Sequence, residues 1–134
     1  MINSEFALSV HTLLLLSASE GELITSARLS ELLKVHPVQI RKVLSKMKGS
    51  GYIDSKEGSS GGFSISCDIS QVSLKAIYLL IQDDLLKPKC HDCCTSCKIG
   101  SNIEKVLDDI LIGADDKFQE YLDKYTLKDV WDKL

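Results

Sequence analysis

Residues 35–63, VHPVQIRKVLSKMKGSGYIDSKEGSSGGF, limit the possible fold more than any other stretch of the chain. Pro37 suits the first position of a helix, where its missing N–H costs nothing, and every residue from Val38 to Lys48 continues that helix. Ile40, Val43, Leu44 and Met47 recur at the i, i+3, i+4, i+7 spacing, so they share one face and pack inward. Val38, Arg41, Lys42 and Ser45 face the other way, with Gln39 and Lys46 beside them. Gly49 and Gly51 mark the helix end, after which YIDSKE and FSISC read as two short strands joined by the turn GSSGG. Just upstream, Thr25 caps a shorter helix, SARLSELL, and Leu33 to His36 is the length of a tight interhelical turn.

A short helix, a turn, a second helix and a Gly-rich hairpin make a winged helix-turn-helix, in which the second helix enters the DNA major groove. Charge agrees: Arg41, Lys42, Lys46, Lys48 and Lys56 face only Asp54 between Pro37 and Lys56, on a chain of formal net charge −3. Such a patch suits double-stranded DNA as partner. On this reading Arg41 and Lys42 meet bases or phosphates, Gln39 and Ser45 hydrogen-bond base edges, Val38 meets a thymine methyl, and Lys46 adds positive charge beside them. Arg28 and Lys56 hold phosphates, while Ser59, Ser60, Gly61 and Gly62 let the wing approach the minor groove. The plainer alternative is a solvated helix beside a surface hairpin, in a zinc-stabilised structural or interaction module that does not bind specific DNA.

The rest of the chain reads as mainly α. Asn3 or Ser4 caps a first helix through Ser17 whose apolar residues cover so much of its circumference that it is packed on two sides, with His11 a hydrogen-bonded packing residue. Ser73 caps LKAIYLLIQDD, Pro88 marks a break, and an apolar stripe from Ile103 to Tyr125 describes one long helix with Gly113 as its weak point. So long a stripe in a chain of 134 residues needs a partner surface. Thr126 and Asp129 form a capping-box-like start to a last helix whose Leu127, Val130 and Trp131 fold back on the body. No apolar run approaches the roughly 18 residues that span a bilayer, so no membrane association and a cytoplasmic location are expected.

Four of the five cysteines, Cys90, Cys93, Cys94 and Cys97, fall in KCHDCCTSCKIG with His91 among them. In a reducing compartment this density points to metal ligation or thiol chemistry. Cys93 and Cys94 are adjacent and their side chains diverge, so three thiolates with one outside ligand fit one ion better than all four. Lys87, Lys89 and Lys98 flank the cysteines and favour thiolates. Iron–sulfur, zinc and a bare thiol/disulfide switch all remain open. Cys67, alone at a strand end, reads as a small buried apolar residue. An enzyme is not expected: a C-x2-C redox centre requires a βαβ context, and the chain offers neither this nor a hydrolytic or phosphate-cradling motif.

The segments NSEFALSVHTLLLLS, HPVQIRKVLSKMKGSGYIDSKEGSSGGF and VSLKAIYLLI resemble the matching parts of the Rrf2 (Rrf-two) family of winged-helix bacterial transcription regulators. The resemblance spans nearly the whole chain, and the wing SKEGSSGGF is its most specific part. It implies a homodimeric regulator on a palindromic operator, expected to act as a repressor, whose cysteines sense redox state, electrophiles, nitric oxide or iron–sulfur status. It implies a division into a winged helix-turn-helix domain (1–86), a cysteine-rich sensory loop (87–98), and a dimerisation helix with a C-terminal helix (99–134). Iron–sulfur members hold their cluster with cysteines of this loop, and some add an acidic ligand from the partner subunit, a position matched by Glu5. Those members space their cysteines more widely. The pattern resembles more closely the redox- and electrophile-sensing branch, in which Cys97 is the matching key cysteine. Leu32 and Leu33 stand where that branch places a second cysteine, so a disulfide would form within the loop or between the two loops of a dimer.

Overall fold

The computed structural model describes residues 4–82 and 98–134, and the cysteine segment with Cys90, His91, Cys93, Cys94 and Cys97 lies outside the described residues. Helix α1 (Ser4–Ala18) runs through the middle of the core and buries Phe6, Leu13, Leu14 and Leu16. Ser9 and Thr12 are buried with them, because each hydroxyl donates to the carbonyl four residues back, at 2.7 Å in both cases. His11 differs from expectation: it is exposed, at the edge of an apolar groove, and does not pack into the core.

Thr25 starts helix α2 (Ser26–Leu33) by accepting from the Arg28 N–H at 3.1 Å. Lys34 then takes the left-handed conformation (φ 55°) and closes the turn. Helix α3 (Pro37–Ser50) begins with Pro37 in the first turn and with His36 as its cap, the Val38 N–H donating to His36 Nδ1 at 3.2 Å. Gly49 does not end the helix. The stop is Gly51, left-handed at φ 84°, whose N–H reaches the Lys48 carbonyl at 3.3 Å.

Strands β1 (Ile53–Lys56) and β2 (Gly62–Ile65) pair antiparallel with Ile53 opposite Ile65 and Lys56 opposite Gly62. A third segment joins them: Ile24 and Phe63 exchange N–H to carbonyl bonds at 2.9 and 2.8 Å, which anchors the hairpin to the loop before α2. Helix α4 (Leu74–Ile81) is capped by Ser73 and ends at Ile81, where Gln82 turns to extended backbone, earlier than LKAIYLLIQDD suggests. Helix α5 (Lys98–Leu122) passes through Gly113 without a break. Helix α6 (Leu127–Asp132) opens with the full Thr126/Asp129 capping box. Leu127 is buried and Val130 packs on the core, whereas Trp131 stays 40% exposed.

The 25 residues of α5 bury only Asp115 and Leu122. Asp115 is tied down by neutral donors, Tyr78 Oη on α4 at 2.6 Å and Gln119 Nε2 at 2.6 Å, with the Phe118 ring edge-on to Tyr78 at 5.0 Å. Burial and the adjacent carboxylate push the Tyr78 phenol up to about 12. Removing this donor leaves Asp115 Oδ1 buried without its Tyr78 partner while Gln119 still holds Oδ2, so Tyr78→Phe is expected to cost about 1–3 kcal/mol in urea unfolding at neutral pH. An acid whose folded pKa is raised gives stability that is fully present below its unfolded value and is lost as pH rises through the folded one. The gap between wild type and Tyr78→Phe should therefore narrow from about pH 10 to about pH 12.

Candidate nucleic-acid interface

The outward face of α3 is set by what its inward face buries. Ile40, Val43, Leu44 and Met47 are at most 1% exposed, which leaves Val38, Gln39, Arg41, Lys42, Ser45 and Lys48 on the surface. Val38 is 60% exposed and stands on the same outward face. Arg41 Nε donates to the Pro37 carbonyl at 3.2 Å, which aligns the side chain along the N-terminal half of the helix.

Lys42 and Lys46 part company. Lys42 remains 56% exposed while its Nζ lies 2.6 Å from Glu5 Oε1. Lys46, 20% exposed, turns into the body, its Nζ 3.2 Å from Glu5 Oε2 and donating to the Ile81 carbonyl at 3.2 Å. The Lys42 ammonium foremost, and Lys46 with it, hold the Glu5 carboxyl below the usual carboxylate range against the opposing effect of burial. Glu5 thus pairs within its own chain with two cations of α3.

The wing stands beside this face. A cleft of about 270 Å³ between α3 and the hairpin, open to solvent, is lined by the cations Arg41, Lys48 and Lys56, by Ser45, Ser55 and Glu57, and by Leu44 and Phe63. Lys48 belongs to it, although the contact set read from the sequence omits it; the signal was its place in the charge count, one turn on from Ser45. At the tip, Ser59 and Ser60 are exposed and the Gly61 N–H closes the turn on the Gly58 carbonyl at 3.0 Å. A Cβ on Gly61 would lie 2.1 Å from the Lys56 carbonyl oxygen, and one on Gly62 2.9 Å from the Ile24 backbone. Arg28, on α2, is exposed and paired with Glu31 at 3.0 Å.

Among the described residues no group of three or more His, Cys, Asp or Glu side chains could hold a metal ion, and Cys67 is the one cysteine described. It is half-buried, and burial, aided by the Asp68 charge, pushes its thiol up, in keeping with a packing residue. Among the described residues no helix is long and apolar enough to cross a membrane. What the arrangement offers is a set of cations and hydrogen-bonding side chains held on a rigid helix and an adjoining hairpin.

Comparison with known proteins gives a consistent picture. Residues 2–133 match the profile of the Rrf2 family, described as iron-dependent transcriptional regulators. YwnA of Bacillus subtilis, named as a helix-turn-helix transcriptional regulator, is 27% identical over 135 residues, covering 100% of this chain and 99% of its own. The Bacillus subtilis regulator NsrR is 26% identical over 128 residues, covering 91% of this chain and 84% of its own. A Lactobacillus plantarum crystal structure described as a transcriptional regulator superposes with a TM-score of 0.81 at 27% identity, covering 95% of this chain and 87% of that one. CymR, the global cysteine regulator of Bacillus subtilis, shares the fold at a TM-score of 0.70 and 14% identity, covering 100% of this chain and 98% of its own. These relatives are regulators and not enzymes.

Gly61→Ala tests whether the wing turn is built as described. Its methyl would collide with the Lys56 carbonyl, and the backbone shift is expected to cost about 1–3 kcal/mol in chemical denaturation. Unchanged stability would contradict this turn geometry.

Proposed function

Since the chain belongs to the Rrf2 family of transcriptional regulators, we propose that two copies grip a palindromic operator in double-stranded DNA, each placing α3 in a major groove and its wing close to the minor groove. The observation that carries the reading is the solvent-facing array of Val38, Gln39, Arg41 and Ser45 next to the cleft that holds Lys48 and Lys56. Gln39 and Ser45 suit base edges, Arg41 suits guanine or phosphate, and Ser59 to Gly62 suit a close approach by the hairpin tip. Arg28 reaches a phosphate by giving up its exposed pair with Glu31.

Pairing of two copies would cover α5, on which Ile99, Val106 and Ile110 are 75%, 49% and 61% exposed. An apolar groove of about 540 Å³, lined by Phe6, Val10, Leu14, Leu74 and Leu134 among others, offers a matching surface on the body. Residues 1–86 then bind DNA, 87–98 sense, and 99–134 join the copies. Paired recognition helices must meet successive grooves about 34–36 Å apart, so a small change at the joint releases the operator and lifts repression in the cytoplasm.

Cys90, Cys93, Cys94 and Cys97, with His91, supply the signal chemistry. Three thiolates and one further donor suit zinc or an iron–sulfur cluster, which when bound would supply sensitivity to nitric oxide or oxidants; without metal the same thiols form a disulfide on oxidation. Glu5 fits a ligand role less well, because both of its carboxylate oxygens already pair with lysines.

Selection from a random duplex library should enrich a two-fold symmetric site, and sedimentation should return twice the chain mass. Arg41→Ala is expected to weaken binding to the enriched site by about tenfold or more, with its melting temperature kept. Failure to enrich any symmetric site would contradict specific recognition and favour a structural module.

A further inference from the structure

Resting on the DNA-binding reading above, we infer that Glu5 is a specificity-determining residue: it serves as an internal counter-anion for the recognition helix and lowers the affinity of α3 for DNA of arbitrary sequence. The carboxylate lies 2.6 Å from Lys42 Nζ and 3.2 Å from Lys46 Nζ, so it already occupies the ammonium groups that a phosphate would otherwise attract. Its side chain is only 23% exposed, so solvent and salt screen the pair less than they would a pair on open surface. The pair is also in the right place to matter. Glu5 and Lys42 line a cleft of about 290 Å³ with Val38 and Gln39, the part of α3 that faces the groove.

The two lysines differ in what they would do without Glu5. Lys46 is still held by the Ile81 carbonyl at 3.2 Å and is 20% exposed, whereas Lys42 is 56% exposed, so Lys42 is the cation that Glu5 withholds. A phosphate reaching for Lys42 must displace a like charge that is already in contact. That penalty falls most heavily on random-sequence binding, which rests almost wholly on phosphates and lets the protein shift to any register that serves a free cation. On the operator, base contacts by Val38, Gln39, Arg41 and Ser45 fix the register, so a freed Lys42 gains only what that register offers. Glu5 therefore widens the gap between operator and random DNA by suppressing the second.

The test uses the full chain, a labelled random-sequence duplex and the library-selected duplex, titrated across a salt series. Glu5→Gln is expected to bind random DNA about fivefold more tightly near 0.1 M salt, with a log–log salt slope steeper by about 0.9, one added phosphate contact. Affinity for the selected duplex should rise less. In the Glu5→Gln, Lys42→Gln double variant the added slope should disappear. An unchanged slope in Glu5→Gln, or weaker binding to both duplexes together with a lower melting temperature, would make Glu5 only a structural brace and overturn the inference. Wild-type protein that binds neither duplex would remove the DNA-binding reading, and this inference with it.

Discussion

Burial of four side chains on one face of α3 is the constraint on which the rest depends. Ile40, Val43, Leu44 and Met47 are essentially without solvent contact, and each contributes roughly 1.5–3 kcal/mol by leaving water. Rotating α3 about its axis would surrender that burial, so the orientation of the opposite face is not adjustable. Pro37, the His36 cap and the left-handed Gly51 fix where this face begins and ends. The solvent-facing side of α3 is the remainder of a packing decision, and its rigidity comes from the core beneath it.

Two polar ties then connect the elements that packing alone would leave free to slide. Lys46 joins the start of α1, the middle of α3 and the last carbonyl of α4 through Glu5 and Ile81. Tyr78 joins α4 to α5 through the buried carboxylate of Asp115. Helix α4 is common to both, so it holds α3 by one tie and the long helix by the other. Under the proposed sensing role this is where a change in the cysteine segment, which follows α4 in the chain, would be felt by both the DNA-facing and the pairing parts of the molecule.

Features that depend on local rules were legible in the sequence. The Thr25 and Ser73 caps, the Thr126/Asp129 capping box, the inward face of α3 and the hairpin with its glycines all follow from residue type and short spacing. What escaped depends on partners far along the chain. Lys46 reads as one more outward cation because nothing local shows that Glu5, at 41 residues' separation, will draw it inward. Nothing local marks Asp115 for burial, which depends on the approach of Tyr78 from α4. Gly49 looks like a stop, but Gly51 alone meets the backbone requirement for one. Ile24 gives no periodic signal for a strand, since it pairs through a single bridge to Phe63.

The central claim is that the exposed side of α3 and the neighbouring hairpin form the surface that meets DNA. Backbone amide shift mapping by NMR, with the library-selected duplex titrated into the protein, addresses this most directly. The account predicts the largest perturbations at Val38, Gln39, Arg41, Lys42 and Ser45 and along Ser59 to Gly62, with the buried positions of α1 little changed. Perturbations centred elsewhere, with α3 and the hairpin silent at saturation, would contradict it.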